Sequence, residues 1–329
     1  MEIYDVTIIG AGPTGLFGAF YAGLRGLKVK IIESLPEVGG QVSVLYPEKY
    51  IYDIAGFQKI IGKDLSKELY KQAMVFKPKI CLDETAQNLN VLNDELLEIE
   101  TDKGKHHSKT LIISAGIGAF TPNKINKPGV SEFEDKGVYY SVANRSILKG
   151  KSVLIVGGGD SAVDWALNLN DYCKSVTLIH RREGFRALES SLDELKHSNV
   201  EVKTFYELKE VKGTDIVKSA TIYDNKTSEE TKLDIDALLI FFGHKADLGP
   251  IKNWNLDIDK RNIIVDVNMQ TSIPRVFAAG DLVSQEGGLK LNLIAVGFAQ
   301  AAIAVAAAKK LIDPSSATFE HSSEKGLNI

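Results

Sequence analysis

Two glycine-rich turns, each set between a short apolar run and a helix-like stretch, recur 147 residues apart in this chain, and few folds accommodate that arrangement. The first runs from Val6-Thr7-Ile8-Ile9 through Gly10-Ala11-Gly12-Pro13-Thr14-Gly15 into Leu16-Phe17-Gly18-Ala19-Phe20. The second runs from Val153-Leu154-Ile155-Val156 through Gly157-Gly158-Gly159-Asp160-Ser161-Ala162 into Val163-Asp164-Trp165-Ala166-Leu167. At matched offsets each is followed by a further apolar run, Val29-Lys30-Ile31-Ile32 and Val176-Thr177-Leu178-Ile179. Strand, glycine turn, helix and second strand open a dinucleotide-binding unit. The first glycine (Gly10, Gly157) makes the tight turn, the second (Gly12, Gly159) lets backbone approach a pyrophosphate, and the third position (Gly15, Ala162) lets helix pack on strand. The pyrophosphate sits at the helix N-terminus, where unpaired N–H groups and the helix dipole favour an anion, and this brings Asp160 and Ser161 to the second site. One such motif is weak evidence; two in register predict an α/β protein with two Rossmann-like units.

The two turns differ where their ligands must differ. Glu33, 23 residues after Gly10, ends the first unit's second strand, where a carboxylate accepts hydrogen bonds from an adenosine ribose and repels a 2′-phosphate. The same offset from Gly157 falls on His180, followed by Arg181 and Arg182, with Arg186 four residues further on. Guanidinium groups clasp phosphate oxygens in a fork, so the first site is expected to take FAD or NAD and the second NADPH. His180 reads as part of the adenine-phosphate site rather than as a proton donor. Asp164 and Glu189 read as charges on a helix surface.

Further apolar runs complete the plan. Thr110–Gly116 and Ala237–Gly243 are placed to return as strands, each closing one unit's sheet, and Val276-Phe277-Ala278-Ala279-Gly280-Asp281 lies beyond the second copy and returns to the first unit. The NADPH unit is thus inserted into the FAD unit. Residues 1–117 and 246–329 form the FAD-binding part and residues 118–245 the NADPH-binding part, with linkers near Ile117 to Thr121 and Gly243 to Asp247.

At 329 residues the chain is long for one core, and with 44% hydrophobic and 25% charged residues it fills two ordinary ones. A net charge of −4 gives no bulk attraction to nucleic acid or to an anionic membrane. The apolar stretch Leu293 to Ala308, mostly alanine and carrying Gln300, is shorter than a membrane span and reads as a packed helix. No basic segment precedes an apolar signal core, and Cys81 and Cys173 stand far apart without metal-ligand spacing, so a cytoplasmic protein with both cysteines in its cores is expected.

Together these motifs resemble the two-dinucleotide-binding flavoproteins, and within them the low-molecular-weight thioredoxin reductases, over essentially the whole chain. His180-Arg181-Arg182-Glu183-Gly184-Phe185-Arg186-Ala187 is similar to that group's NADPH segment, and Ala278-Ala279-Gly280-Asp281 to its FAD segment. The redox-active Cys-x-x-Cys of thioredoxin reductases is missing: the corresponding stretch reads Gly137-Val138-Tyr139-Tyr140-Ser141-Val142-Ala143-Asn144. Gly39-Gly40-Gln41, Leu45-Tyr46-Pro47-Glu48-Lys49-Tyr50, Ala115-Gly116-Ile117-Gly118-Ala119-Phe120-Thr121-Pro122 and a tail with His321-Ser322-Ser323 resemble instead the thioredoxin-reductase-like ferredoxin (flavodoxin)–NADP reductases of bacteria. That resemblance implies a homodimer in which Tyr46 stacks on one flavin face and His321, on a tail from across the dimer, covers the other. Thr14, Glu33, Gln41, Ala86, Phe120, Asp281 and Ser323 complete the FAD site, and a helix beginning near Leu291 to Leu293 points its N-terminus at the flavin. The implied reaction passes hydride from NADPH to the flavin and single electrons onward to ferredoxin or flavodoxin, with no protein acid, base or nucleophile required. An NADPH diaphorase or quinone reductase shares both cofactor sites and differs in its acceptor. A non-enzymatic flavoprotein that senses NADPH would bind but not turn over.

Overall fold

The computed structural model describes residues 2–116, 118, 121–142, 144–245, 247–285 and 287–317. The chain divides into two units: one of residues 1–44, 50–120 and 246–329, the other of residues 45–49 and 121–245. The second unit is an insertion, and it also takes a five-residue piece from within the first unit's sequence.

In the first unit the strand Ile3–Ile9 is buried along nearly its whole length, as expected of a parallel strand covered on both faces. Val29–Ile32 lies parallel on one side of it, with Val6 opposite Val29, and Lys105–Ile113 lies parallel on the other, with Val6 opposite Thr110. Lys79–Cys81 extends the sheet beyond Val29–Ile32, and the hairpin of Ala86–Asn93 and Leu96–Thr101 pairs antiparallel with the start of Lys105–Ile113. The run at Thr110 therefore does not close the sheet. It is an inner strand, and Val276–Ala278 pairs parallel on its outer side through Val276 to Leu111. This is the return to the first unit expected of that segment.

The helix Pro13–Leu24 starts with proline just inside its N-terminus, where the missing N–H is not needed. It ends at Gly26, whose positive φ of 72° permits the reversal that sends the Leu27 N–H back to the Ala22 carbonyl at 3.0 Å. Leu27 is then buried and delivers the chain into the second strand. The helix Ile294–Ile312 packs on Pro13–Leu24 through Gly297, Ala301, Ala304, Val305 and Ala308, a stripe of helical period. Phe298 meets Phe17 with ring centroids 4.9 Å apart. The helix runs past Ala308 through Lys309 and Lys310, so it is longer than its apolar core and approaches the length of a membrane span. Only its small-residue face is packed; Ile303 and Leu311 are exposed.

The second unit is built on a parallel sheet in the order Val138–Tyr139, Ala237–Phe241, Ser152–Gly157, Ser175–His180, Glu201–Thr204. Ala237–Phe241 is again interior, flanked by a short strand at Val138–Tyr139 that its sequence gave no reason to expect. Alternate residues of Ser152–Gly157 serve two cores. Val153 and Ile155 face Trp165, Leu169 and Leu195 of the helices Asp160–Leu169 and Glu189–Lys196. Leu154 and Val156 face Leu208, Val211 and Ile222 of an antiparallel sheet formed by Tyr206–Gly213, Val217–Asp224 and Glu230–Asp234. A β-meander thus covers the face where a second layer of helices is commoner. Neither cysteine is fully buried. Cys173 Sγ donates to the Leu148 carbonyl at 3.2 Å, and burial pushes its thiol up to about 11, so it is unreactive at neutral pH.

Candidate functional site

The first glycine turn is held from both sides. The Gly10 N–H donates to the Ile32 carbonyl at 2.8 Å, and Ser114 Oγ donates to the Ile9 and Gly10 carbonyls at 3.0 and 3.2 Å. Gly10 has φ 102°, and a Cβ there would stand 2.5 Å from the Ser114 oxygen. A Cβ on Gly15 would collide with the Gly10 carbonyl. Both glycines are therefore demanded by the protein's own packing. Gly12 is different: the nearest atom to its added Cβ is Gly40 Cα at 3.9 Å, and its φ of −71° suits any residue. The structure needs no glycine at position 12, but an approaching pyrophosphate does, and beyond Gly12 lie the unpaired amides of the helix's first turn.

Around this turn the walls come from distant sequence. Gln41 Nε2 donates to Asp281 Oδ2 at 3.1 Å and packs beside Gly116, whose φ is 60°. Thr14 packs against Gly280 and Gly297, and Gln300 Oε1 accepts the Gly280 N–H at 2.8 Å. Lys290 Nζ donates to the Asp281 carbonyl at 2.8 Å. The fold thus brings together Gly10, Gly12, Thr14, Gly15, Glu33, Gln41 and Asp281, all expected at one site. It adds Gly40, Ser114, Lys290 and Gln300, which sequence reasoning did not assign. Gln300 carried a signal, being the one polar side chain in the run Leu293 to Ala308. The helix at that site begins at Ile294, with Leu293 as its cap.

Glu33 is buried, and its carboxylate accepts the N–H groups of Ala11 at 2.6 Å and Leu35 at 2.9 Å. Ser34 Oγ also donates to Oε1 at 3.3 Å, so Oε2 is the oxygen that keeps a lone pair for a further donor. The Glu84 N–H donates to the Glu33 carbonyl at 2.9 Å, which runs the chain past Glu33 into the strand that begins at buried Ala86. Behind it lies a polar relay. Lys30 Nζ donates to His106 Nδ1 at 2.8 Å, which leaves the proton on Nε2, 2.5 Å from Glu84 Oε1. Burial raises the Glu84 carboxyl, but hydrogen bonds from Thr101 and His106 outweigh it and hold the group below its ordinary range. Cys81, Glu84 and His106 offer donor atoms within 4.8 Å of one another. With Lys30 on one ring nitrogen and a proton on the other, His106 has no lone pair left for a metal.

The second turn repeats the logic. A Cβ on Gly157 would lie 2.7 Å from the Phe241 carbonyl and 2.8 Å from the Ala162 methyl, whereas one on Gly159 would meet nothing closer than the Arg186 carbonyl at 3.8 Å. The intervening Gly158 is roofed by the His180 imidazole, which a side chain there would strike. His180 also packs on Phe185 at 5.0 Å; burial, helped by Arg181 and Arg182, lowers its pKa and keeps it neutral at pH 7. His180 therefore lies on the turn as a neutral ring, and positive charge at the site comes from the arginines.

The arginine loop is fastened through its backbone. The Arg186 N–H donates to the Gly158 carbonyl at 2.7 Å, Asn225 Nδ2 donates to the Arg181 carbonyl at 2.9 Å, and Asp160 Oδ1 accepts the Leu188 N–H at 3.0 Å. Arg181, Arg182 and Arg186 are exposed, and no guanidinium among them has an acidic partner among the described residues. Ser161 stands exposed on the helix's first turn. The three arginines, His180 and the glycines of the turn line a cavity of about 510 Å3 that also touches Lys127, Tyr206, Glu207 and Phe241. Tyr46 is half-buried in the five-residue segment that belongs to this second unit. Phe120, His321 and Ser323 lie outside the described residues.

A family model described as pyridine nucleotide-disulphide oxidoreductase matches residues 4–308. The chain is 52% identical to a ferredoxin–NADP reductase of Symbiobacterium thermophilum, with 98% of each covered. It is 50% identical to one of Sulfurisphaera tokodaii, again over 98% of both. Its structure is similar to that of T. acidophilum thioredoxin reductase, with a TM-score of 0.82 at 27% identity over 96% of this chain and all of the other.

Proposed function

Since the chain belongs to the pyridine nucleotide-disulphide oxidoreductase family and shares half its residues with ferredoxin–NADP reductases, we propose that it moves electrons between NADP(H) and ferredoxin through FAD. FAD occupies the first unit and NADP(H) the second. The observation that carries the assignment is the contrast between the turns: a buried carboxylate at Glu33 beside one, and over the other exposed arginines that have no acidic partner among the described residues. A 2′-phosphate is repelled at the first and bound at the second. Gly10, Gly12, Thr14, Gly15, Glu33, Gln41, Ala86 and Asp281 hold FAD, with Tyr46, Phe120, His321 and Ser323 contributing at the flavin. Gly157, Gly159, Asp160, Ser161, His180, Arg181, Arg182 and Arg186 hold NADP(H).

Once bound, the flavin supplies the exchange between a two-electron hydride donor and a one-electron carrier. The chain's residues bind and orient: helix N-termini meet the pyrophosphates, Asp281 is tied by Gln41 and Lys290 at the ribityl end, and His180, being neutral, leaves phosphate charge to the arginines. No dithiol relay competes, because the sequence has only Cys81 and Cys173, one in each unit. Flavodoxin is proposed as a second carrier. A homodimer is supported by the exposed apolar residues Ile303 and Leu311 on the helix Ile294–Ile312, and a cytoplasmic setting by the two unpaired cysteines.

The test is anaerobic. Flavin bleaching is followed on mixing with NADPH or NADH, and then cytochrome c reduction with and without ferredoxin or flavodoxin. Fast NADPH-selective bleaching with carrier-dependent cytochrome reduction is the expected result. Carrier-independent turnover would make the protein a diaphorase, and an absence of bleaching would leave only a binding role.

A further inference from the structure

The two ends of the arginine loop are fastened in different ways. At its far end the Arg186 N–H reaches Gly158 and the Leu188 N–H reaches Asp160, so this end is tied to the glycine turn itself. Its start is tied from elsewhere: Asn225 Nδ2 donates to the Arg181 carbonyl at 2.9 Å across 44 residues of sequence. Asn225 is carried on the turn between the strands Val217–Asp224 and Glu230–Asp234, where Asp224 Oδ1 accepts the N–H groups of Lys226 at 2.7 Å and Thr227 at 3.1 Å. The Asn225 N–H donates to the Phe205 carbonyl at 2.7 Å, and Phe205, with φ 66°, is where the chain turns from Glu201–Thr204 into the meander strand Tyr206–Gly213. One tip of the meander is thereby laid against the loop that follows Ser175–His180.

The nitrogen that holds the Arg181 carbonyl also donates to Glu207 Oε1, at 3.1 Å. Both N–H donors of the amide are thus spent on acceptors, and the reversed amide would set Oδ1 against a carboxylate and a carbonyl. Glu207 therefore leaves Asn225 one workable orientation. Glu207 also lines the cavity that the three arginines line, so the clamp stands at the edge of the second site. The fold makes no demand for it. Asn225 is exposed, its turn is closed by Asp224, and its backbone N–H reaches Phe205 whatever the side chain. What the side chain does fix is the plane of the peptide between Arg181 and Arg182, and with it the direction in which Arg181 leaves the backbone. A guanidinium that must meet a phosphate in a fork gains from a root already held, because less freedom is lost on binding.

We propose that Asn225 is a positioning residue for Arg181, through which the tip of the meander sets how strongly this site prefers a nucleotide carrying a 2′-phosphate. The inference rests on the reading that Arg181 binds that phosphate, and Arg181→Ala tests the reading by itself. The experiment uses the full-length, FAD-loaded enzyme. Flavin reduction is followed over a range of NADPH and of NADH concentrations, and binding of 2′,5′-ADP is measured by calorimetry, for wild type, Asn225→Ala, Arg181→Ala and the double variant. Asn225→Ala is expected to weaken 2′,5′-ADP binding and to raise the half-saturating NADPH concentration about 3- to 10-fold, the range for one hydrogen bond. The half-saturating NADH concentration should stay within about twofold, and the rate at saturating NADPH should be unchanged. In the Arg181→Ala background the same substitution should alter NADPH by less than about twofold, because the group it positions is gone. An Asn225→Ala variant that keeps its preference for NADPH, or that weakens NADPH and NADH alike, overturns the positioning role and leaves the reading of Arg181 standing. A loss of equal size with Arg181 present or absent also overturns it, since Asn225 would then act without Arg181. If Arg181→Ala weakens both nucleotides alike, the 2′-phosphate reading fails and the inference with it. Should Asn225→Ala fold poorly, Asn225→Leu, which fills similar space without a donor, is held to the same outcomes.

Discussion

Replacing Arg181 with alanine isolates the cofactor discrimination. The side chain is exposed and has no acidic partner among the described residues, and the carbonyl that anchors its backbone to Asn225 is retained in the variant, so stability is expected to change little. On the proposed assignment, what is lost is a charge-assisted contact to the 2′-phosphate. Hydrogen bonds to charged groups are worth about 1.5–3 kcal/mol, and the solvent exposure of the loop places this one near the lower bound. With about 1.4 kcal/mol per tenfold, the half-saturating NADPH concentration should rise about 10- to 30-fold. NADH has no 2′-phosphate and should be affected by less than about twofold. Stopped-flow flavin bleaching at a series of NADPH and NADH concentrations reads both numbers from one preparation. A maximal rate unchanged at saturation would place the effect in binding alone. Equal losses for the two nucleotides would refute the reasoning, since they would assign Arg181 to a part common to both molecules.

Gly12→Ala should fold with a Tm within about 2 °C of wild type yet lose flavin on purification, because its Cβ meets no protein atom closer than 3.9 Å; Gly15→Ala should instead lose about 1–3 kcal/mol in urea unfolding through its clash with the Gly10 carbonyl. Glu84→Gln should cost about 1–3 kcal/mol at pH 7 by removing the charge that strengthens the hydrogen bonds Oε1 accepts from His106 and Thr101. The Glu84 carboxyl is held below its usual range in the fold, so its stabilising charge is fully present above the ordinary carboxylate pKa and is lost as pH falls through the lowered one. The gap between wild type and Glu84→Gln, measured by urea unfolding from pH 7 to pH 3, should therefore narrow only at the acid end. Trp165→Ala empties a fully enclosed position stacked on Phe241 and should remove about 3–5 kcal/mol from the second unit, read as an early transition in calorimetry.

The parts of this molecule legible in the sequence are those governed by local rules. The glycine turns could be read because turn, phosphate approach and helix packing each need a missing side chain at a fixed spacing, and the flanking strands because both faces are buried and the runs are apolar throughout. Strand order was less accessible. Thr110–Gly116 and Ala237–Gly243 look like sheet ends because nothing in an apolar strand states how many neighbours it has. The walls of the first site were hidden for a related reason: Ser114 and Lys290 act through single hydrogen bonds to backbone that approaches only in the fold. The His180 ring lies over Gly158, and a residue whose charge depends on burial cannot be read from position alone. The grouping of residues 45–49 with the second unit left no mark in composition, because the side-chain contacts that Lys49 and Glu48 make to Asp164 and Asn168 form only in the fold.

The two cradles have one topology and differ in how far they are enclosed, and this difference decides what each can do. Around the first turn, Gly40, Gln41, Ser114, Gly116, Thr14 and Gly280 close in from four separate stretches of chain, and the recognising carboxylate is buried. A nucleotide held there loses most of its water and leaves only when several of those contacts open together, which suits a cofactor that stays through many turnovers. The second turn faces a cavity whose proposed recognising groups are exposed arginines on a loop fastened by its backbone. Affinity there comes largely from charge, which speeds arrival and weakens with salt, and it suits a nucleotide that must depart after each hydride transfer. Raising ionic strength should accordingly lower NADPH affinity while leaving flavin content unchanged. Flavin loss in parallel with NADPH affinity would mean that the first cradle, too, relies on exposed charge.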